Sequence, residues 1–273
     1  MERPRVIDAV LIAGISYFVY ASVLIILSGR VEVRLGTAIA TVSLLGASYI
    51  LTRLTVTDPL RYVGVRLVQG RVLFYTIVAS FAVVLPVMSL QAILIKYLRV
   101  PPEEIQELAK LMHAESLPGL FYVWLVVALG TGLSEEFVFR GVLQNCLARR
   151  VKVWWAILIA SLVFGALHTY RFPSAVLLGG FLGLIYWRTR SLVPAIVSHI
   201  IINSIALLLF FAFESQIGGR MPDWVMKEQP APLWMNGSSL VVLAAVLVGL
   251  WKATPDVDSD THEIGASKEV LGI

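Results

Sequence analysis

At 273 residues, 58% hydrophobic and only 15% charged, the chain lies far from soluble composition, which runs about 45–50% apolar and about 25% charged. The net charge is +4 and the mean hydropathy +0.82, but Lys and Arg sit in short gaps between apolar runs and form no basic stripe, which excludes nucleic acid as a partner. A single cysteine, Cys146, rules out an intrachain disulfide and a multi-cysteine metal site.

A spanning helix needs about 20 mostly apolar residues. By that rule the chain is an all-α, multi-pass membrane bundle of about eight transmembrane helices, with the lipid bilayer as its main surroundings. The predicted spans are Ile7–Leu27, Gly36–Thr52, Val72–Ile95, Pro118–Arg149, Val153–His168, Ser174–Trp187, Leu192–Phe213 and Leu233–Trp251. The first is long, lacks a small-x-small cleavage site and is expected to be retained. Between the third and fourth, Pro101–Pro118 opens on two prolines and then places Ile105, Leu108 and Met112 at helical spacing, the pattern of an interfacial helix. The fourth run is too long for a simple crossing and should tilt or project. The sixth is short, and its Gly179-x-x-x-Gly183 pair predicts close helix packing. From Lys252 to Ile273 the chain is polar, with Asp256, Asp258, Asp260, Glu263 and Glu269, and is expected to be a disordered tail.

Orientation follows from the basic residues. With the amino terminus, the even loops and the tail on one side, that side holds 13 Lys and Arg and the other holds 8, while Arg140 lies within a span. The excess predicts that both termini are cytoplasmic.

Ionisable residues inside apolar spans are expensive, at about 2.5–3.5 kcal/mol for Asp, Lys or Arg at a helix centre, and are functional hypotheses by default. Glu135, Glu136, Arg140, His168, His199 and Asn203 form such a group. Glu136 and Arg140 are four apart with Glu first, so they meet on one face; a structural network explains that pair as well as function does. Glu135 points about 100° away and has no partner in its own segment. Phe164 and His168 share a face of the fifth span, and His199 and Asn203 stack one turn apart in the seventh. Asn203 alone is explained by a helix-to-helix hydrogen bond; three spans each carrying polar groups are harder to explain so. Glu135 precedes Arg150 by 15 residues and His168 follows Lys152 by 16, so both share a depth of ~22–24 Å from the intervening turn.

Taken in order, Glu135-Glu136-x-x-x-Arg140, Phe164-x-x-x-His168 and His199-x-x-x-Asn203 resemble the signature of the CAAX-protease and bacteriocin-processing (CPBP) family, which includes the type 2 CAAX prenyl endopeptidases. The flanking Phe139-Arg140-Gly141, Gly183-Leu184-Ile185-Tyr186 and Arg190-Ser191-Leu192-Val193-Pro194-Ala195 match as well. The resemblance implies a single transmembrane protease domain over residues 1–251, with a signature core at 118–210 and the 252–273 tail cytoplasmic. Its implied activity is endoproteolysis in the membrane by a glutamate-activated water, on membrane-associated peptides or proteins that carry prenylated CAAX-type ends or leader sequences.

In that chemistry Glu135 is the general base and His168 holds the water. His199 and Asn203 donate to the oxyanion, while Glu136, Arg140 and Phe164 support them. No cofactor is expected. A zinc arrangement stays open, with Glu135, His168 and His199 as ligands and Glu136 as base, although the chain lacks H-E-x-x-H. Two other classes also stay open: a transporter lined by the same residues, for which no internal repeat is found, and a peptide-binding immunity or sorting factor. The expected location is the plasma membrane of a prokaryote.

Overall fold

The computed structural model describes residues 4–98, 102–168, 171–214 and 230–254, and among these all regular structure is helical. In chain order the helices are α1 (Val6–Leu27), α2 (Val33–Thr55), the one-turn α3 (Pro59–Tyr62), α4 (Gly70–Leu98), α5 (Pro102–Met112), α6 (Leu117–Ala148), α7 (Val153–Ala166), α8 (Phe172–Thr189), α9 (Leu192–Glu214) and α10 (Leu233–Ala253). Lipid offers no hydrogen bonds to a backbone, so apolar runs of this length must satisfy their own N–H and C=O groups as helices. Six of them, α1, α2, α4, α6, α9 and α10, are long and apolar enough to cross a membrane. The other two predicted spans are α7, apolar but only 14 residues long, and α8, with 18. At ~1.5 Å per residue these extend ~21 and ~27 Å, so α7 by itself falls short of a hydrocarbon core of about 30 Å.

Predicted and observed boundaries differ at the ends. α4 overruns its predicted span on both sides, and α10 continues to Ala253, so the polar tail begins after that residue. The predicted disorder of the tail concerns residues 255–273, which lie outside the described ones. The stretch predicted to lie on the membrane surface forms α5 from Pro102. Its Leu108 and Met112 pack with Val123 of α6 and Leu207 and Phe211 of α9, so the apolar stripe docks on the bundle end rather than on lipid alone.

α6 is the central helix, in contact with α1, α2, α7, α8 and α9, while α4 packs outside against α8 and α9 and α10 packs on α4. It is one continuous helix of 32 residues, but two stretches, Leu125–Gly130 and Phe137–Gln144, are π-helical. Between α2 and α4 the chain folds inward. Val63 is fully buried, and Gly64, at φ +79°, accepts a hydrogen bond from the Leu192 amide at 2.9 Å, which fixes the start of α9. A positive φ favours glycine, and a Cβ at Gly64 would also stand 3.1 Å from the Arg190 carbonyl oxygen.

The α7–α8 hairpin approaches closely as the glycine pattern predicted. Cβ atoms at Gly179 and Gly183 would press on Ser161 and on Gln144 and Ile157. Gly165 is tighter still: a Cβ there would collide with Val176 and sit 3.0 Å from the Phe172 carbonyl oxygen. Gly165→Ala should therefore force α7 and α8 apart at about 1–3 kcal/mol, the usual cost of overpacking. This is measurable as a lower Tm in detergent, and an unchanged Tm would show that the hairpin has room at this point.

Candidate active site

The acidic pair lies on Thr131–Glu136, a short α-helical segment between the two π-helical stretches of α6. Such bulges recur at functional sites because the widened ladder re-aims side chains and releases carbonyls. Here the Val127 carbonyl is taken up by two side chains: Thr131 Oγ1 on the same helix and Asn203 Nδ2 on α9 at 3.0 Å. Asn203 also donates to Thr131 Oγ1 at 3.1 Å. Its amide thus reaches α6 one and two turns before Glu135, at two oxygens that stand 2.5 Å apart.

Glu136 is completely buried, and its Oε1 accepts from Arg140 Nη1 at 2.7 Å and from His199 Nδ1 at 2.7 Å. Arg140 is 1% exposed. It also donates to the Gly179 carbonyl at 3.2 Å and lies 4.7 Å above the Phe164 ring. The charge is therefore matched by a carboxylate, a carbonyl and an aromatic face, the three partners that suit a planar guanidinium. Because a carboxylate paired with Arg is an acceptor, the bond to Glu136 assigns a proton to Nδ1 of His199 and turns Nε2 outward. That Nε2 stands 3.8 Å from Glu135 Oε2, too long for a hydrogen bond and within ion-pair range.

Glu135 is the partly accessible member of the pair, with 15% of its side chain exposed. His168 is held at the end of α7, its Nδ1 2.8 Å from the Phe164 carbonyl oxygen and its ring 4.4 Å from the Phe164 ring. It interacts electrostatically with both Glu135 and His199. A continuous path thus runs from His168 through Phe164, Arg140 and Glu136 to His199 and Glu135, with Asn203 anchored one turn along. Thr131, the Gly179 carbonyl and the Trp124–Ser204 hydrogen bond of 2.8 Å between α6 and α9 were not foreseen. Thr131, one turn before Glu135, was the one with a signal in the sequence.

An apolar groove of about 680 Å³ runs between α2 and α9 past Leu133 and Phe137. Leu133 is two residues from Glu135, about 200° around the helix, so this groove lies on the opposite face from the exposed carboxylate.

Residues 117–205 match the family model described as Type II CAAX prenyl endopeptidase Rce1-like. Over this stretch the chain is similar to the Rce1-like family. The matched stretch runs from the start of α6 into α9 and contains Glu135, Glu136, Arg140, Phe164, His168, His199 and Asn203. It bears out the CPBP resemblance and indicates a protease. Together with its apolar helices, it identifies an integral membrane protein. No curated protein and no solved structure matches the chain.

Within the Rce1-like core, Glu136 is the group whose loss should be felt as stability. Removing one member of a buried pair leaves an uncompensated charge, at about 3–5 kcal/mol. Glu136→Gln should lower both Tm and activity, and adding Arg140→Gln should recover part of the Tm. A double-mutant cycle reads that coupling directly; a coupling of zero would show that the two side chains do not act as a unit.

Proposed function

We propose that the protein is an intramembrane endopeptidase in which Glu135 activates the attacking water. The observation that carries this reading is the different setting of two adjacent carboxylates. Oε1 of Glu136 is claimed by Arg140 and His199, whereas Glu135 is partly exposed and has only the long approach to His199. Glu135 is thus the carboxylate that water can reach, whereas Oε2 of Glu136, also without a partner among the described residues, is sealed from solvent.

In the proposed reaction, Glu135 takes a proton from water as the water oxygen bonds to the peptide carbonyl carbon, and the carbonyl π pair moves onto its oxygen. His168, its Nδ1 tied to the Phe164 carbonyl, holds that water through Nε2. His199, in its doubly protonated form, and Asn203 donate to the oxyanion, Asn203 by exchanging Thr131 for the substrate. Collapse restores the C=O bond and breaks C–N, and the amine departs with the proton held by Glu135.

The proposed substrates are membrane-associated peptides, prenylated CAAX-type ends or leader peptides. A peptide pair with and without a prenyl group separates the first from the second. Glu135→Gln keeps the side chain's size and removes the base. It should abolish cleavage with little change in Tm, measured on purified protein and by membrane proteomics of cells carrying either form. Undiminished cleavage by Glu135→Gln would sink this mechanism, and no Glu135-dependent cleavage of any peptide would favour the transporter or binding classes.

A zinc reading draws on one observation. A carboxylate holding the second nitrogen of a histidine, as Glu136 holds His199, is the arrangement that metal-ligating histidines show. Against it, no three His, Cys, Asp or Glu side chains among the described residues are grouped so as to hold a metal ion. Zinc therefore does not fit these side chains as they stand. Activity is expected to survive phenanthroline, and a loss reversed by added zinc would put the metal reading ahead.

We also propose that both termini are cytoplasmic, on the 13 to 8 distribution of Lys and Arg. Terminal reporter fusions should be active only in their cytoplasmic form; the opposite pattern would invert the topology.

A further inference from the structure

The first span offered nothing but hydrophobicity as sequence, yet it forms one wall of the site. α1 packs against the second π-helical stretch of α6, where the Tyr17 ring lies 5.4 Å from that of Phe139. Phe139 stands edge-on to Phe164 at 5.1 Å, and Phe164 is the ring that carries His168 and underlies Arg140. Phe139 is one turn from Glu135 and shares its face of α6. Tyr17 accordingly interacts electrostatically with Glu135, Arg140 and Glu136.

The phenol is set in an unusual way. The ring is half-buried, but its hydroxyl is shielded from solvent and, among the described residues, has no hydrogen-bond partner. Ser16, Thr41 and Thr76 also carry unpartnered buried hydroxyls. Those are short side chains within a helix, where a χ1 rotation brings the oxygen onto the carbonyl four residues back. A tyrosine hydroxyl is too far from its own backbone for that. Tyr62, the other tyrosine of this kind, interacts with Cys146 and Arg149, away from the acidic pair. A buried hydroxyl without a partner costs free energy, so one that interacts with the proposed base calls for a ligand that completes it.

Donor accounting around Glu135 identifies the ligand atom. The Asn203 amide is turned to Val127 and Thr131, Arg140 donates to Glu136 and Gly179 and lies on aromatic rings, and Nδ1 of His199 donates to Glu136. Beside Nε2 of His199, the Tyr17 O–H is a further donor on this side of α6, and it has no hydrogen-bond partner among the described residues.

We infer that Tyr17 is a further catalytic residue of this site, its hydroxyl donating a hydrogen bond to the carbonyl oxygen of the scissile peptide as that oxygen becomes anionic. The inference rests on the peptidase reading and adds to it a residue outside the Rce1-like match at 117–205. No bond is made or broken at Tyr17. It keeps its proton, and its contribution grows only as charge develops, so it belongs to kcat and not to KM.

The test uses the full-length protein in detergent or proteoliposomes, with a quenched-fluorescent peptide whose cleavage depends on Glu135. Tyr17→Phe should lower kcat on the order of 100-fold, the loss typical for one oxyanion donor, with KM unchanged. Inhibition by a peptidyl trifluoromethyl ketone, which hydrates to a tetrahedral gem-diol, should weaken by a similar factor. The Tm of Tyr17→Phe should be equal to or above that of the wild type, because the substitution removes a hydroxyl with no partner and leaves the ring. Tyr49→Phe, on the opposite face of α6, should match the wild type throughout. Wild-type kcat and ketone affinity in Tyr17→Phe would overturn the inference, as would a kcat loss that tracks a fall in Tm, since that would mark a packing role. If Tyr17→Phe behaves as wild type while Glu135→Gln is inactive, only the Tyr17 role falls; cleavage that ignores Glu135→Gln removes the peptidase reading and this inference together.

Discussion

One buried carboxylate oxygen organises the bundle. Oε1 of Glu136 takes a hydrogen bond from Arg140 on its own helix and another from His199 on α9. Neither charge would be tolerable alone in a lipid-embedded core. The pair is acceptable because the remaining donors of Arg140 find the Gly179 carbonyl and its flat face finds Phe164. Three neighbouring helices are thereby fixed against α6: α7 through Phe164, α8 through Gly179 and α9 through His199. The glycine pair of α8 has a use beyond close packing. At Gly179 the lack of a side chain lets Ser161 approach, and the same residue offers its carbonyl to Arg140. A lysine at position 140 would supply a point charge without the planar fork, and could not serve the carboxylate, the carbonyl and the ring at once.

The α6–α9 seam depends on the irregularity of α6. A regular helix keeps its carbonyls for itself. The π-helical stretch ahead of Glu135 is where the Val127 carbonyl is bonded by Thr131 and Asn203. Trp124 adds a bond to Ser204 one turn earlier. His199, Asn203 and Ser204 therefore follow α6 in sequence, each meeting a partner on it. Interhelical hydrogen bonds in membranes average well under 2 kcal/mol each, so no single one sets the geometry. Several along one seam hold the register of α9 against α6, and with it the position of Nε2 of His199 relative to Glu135.

Much of this was legible in the sequence, for physical reasons. Spans are easy to read because lipid forces every apolar run into a helix, and the Glu136–Arg140 pair follows from helical spacing alone. The three polar motifs also identified the helices that meet. What was not legible was the partner of each group across helices. Glu136 reads as a residue for Arg140, and its second bond to His199 depends on how α9 is rotated. Asn203 reads equally well as an oxyanion donor or a structural tie, and its Val127 bond depends on a π-helical stretch that no residue type announces. Leu108 and Met112 of α5 read as a membrane-facing stripe because nothing in their spacing distinguishes lipid from the ends of α6 and α9. Tyr17 sits in an apolar run in which a tyrosine is unremarkable, and only its neighbour Phe139, more than a hundred residues later, gives it meaning.

The adjacent glutamates show how one residue type can serve two purposes through surroundings alone. Glu136 meets fixed donors in a closed setting: its Oε1 holds Arg140 and His199, and its Oε2, without a partner among the described residues, is sealed from solvent. Glu135, one residue on and about 100° around the helix, loses little on protonation, because its nearest partner is 3.8 Å away and part of it is open. The same rotation turns Glu135 toward the side of α6 where Phe139 meets Tyr17 and Phe164. Glu135, two histidines with one nitrogen each tied down, and a phenol without a hydrogen-bond partner among the described residues then interact with one another. Each tied nitrogen matters, since Phe164 O and Glu136 Oε1 remove one degree of choice from His168 and His199 and leave a single nitrogen on each to act. In the proposed reaction these histidines are oriented before anything binds, and only Asn203 has to change partner.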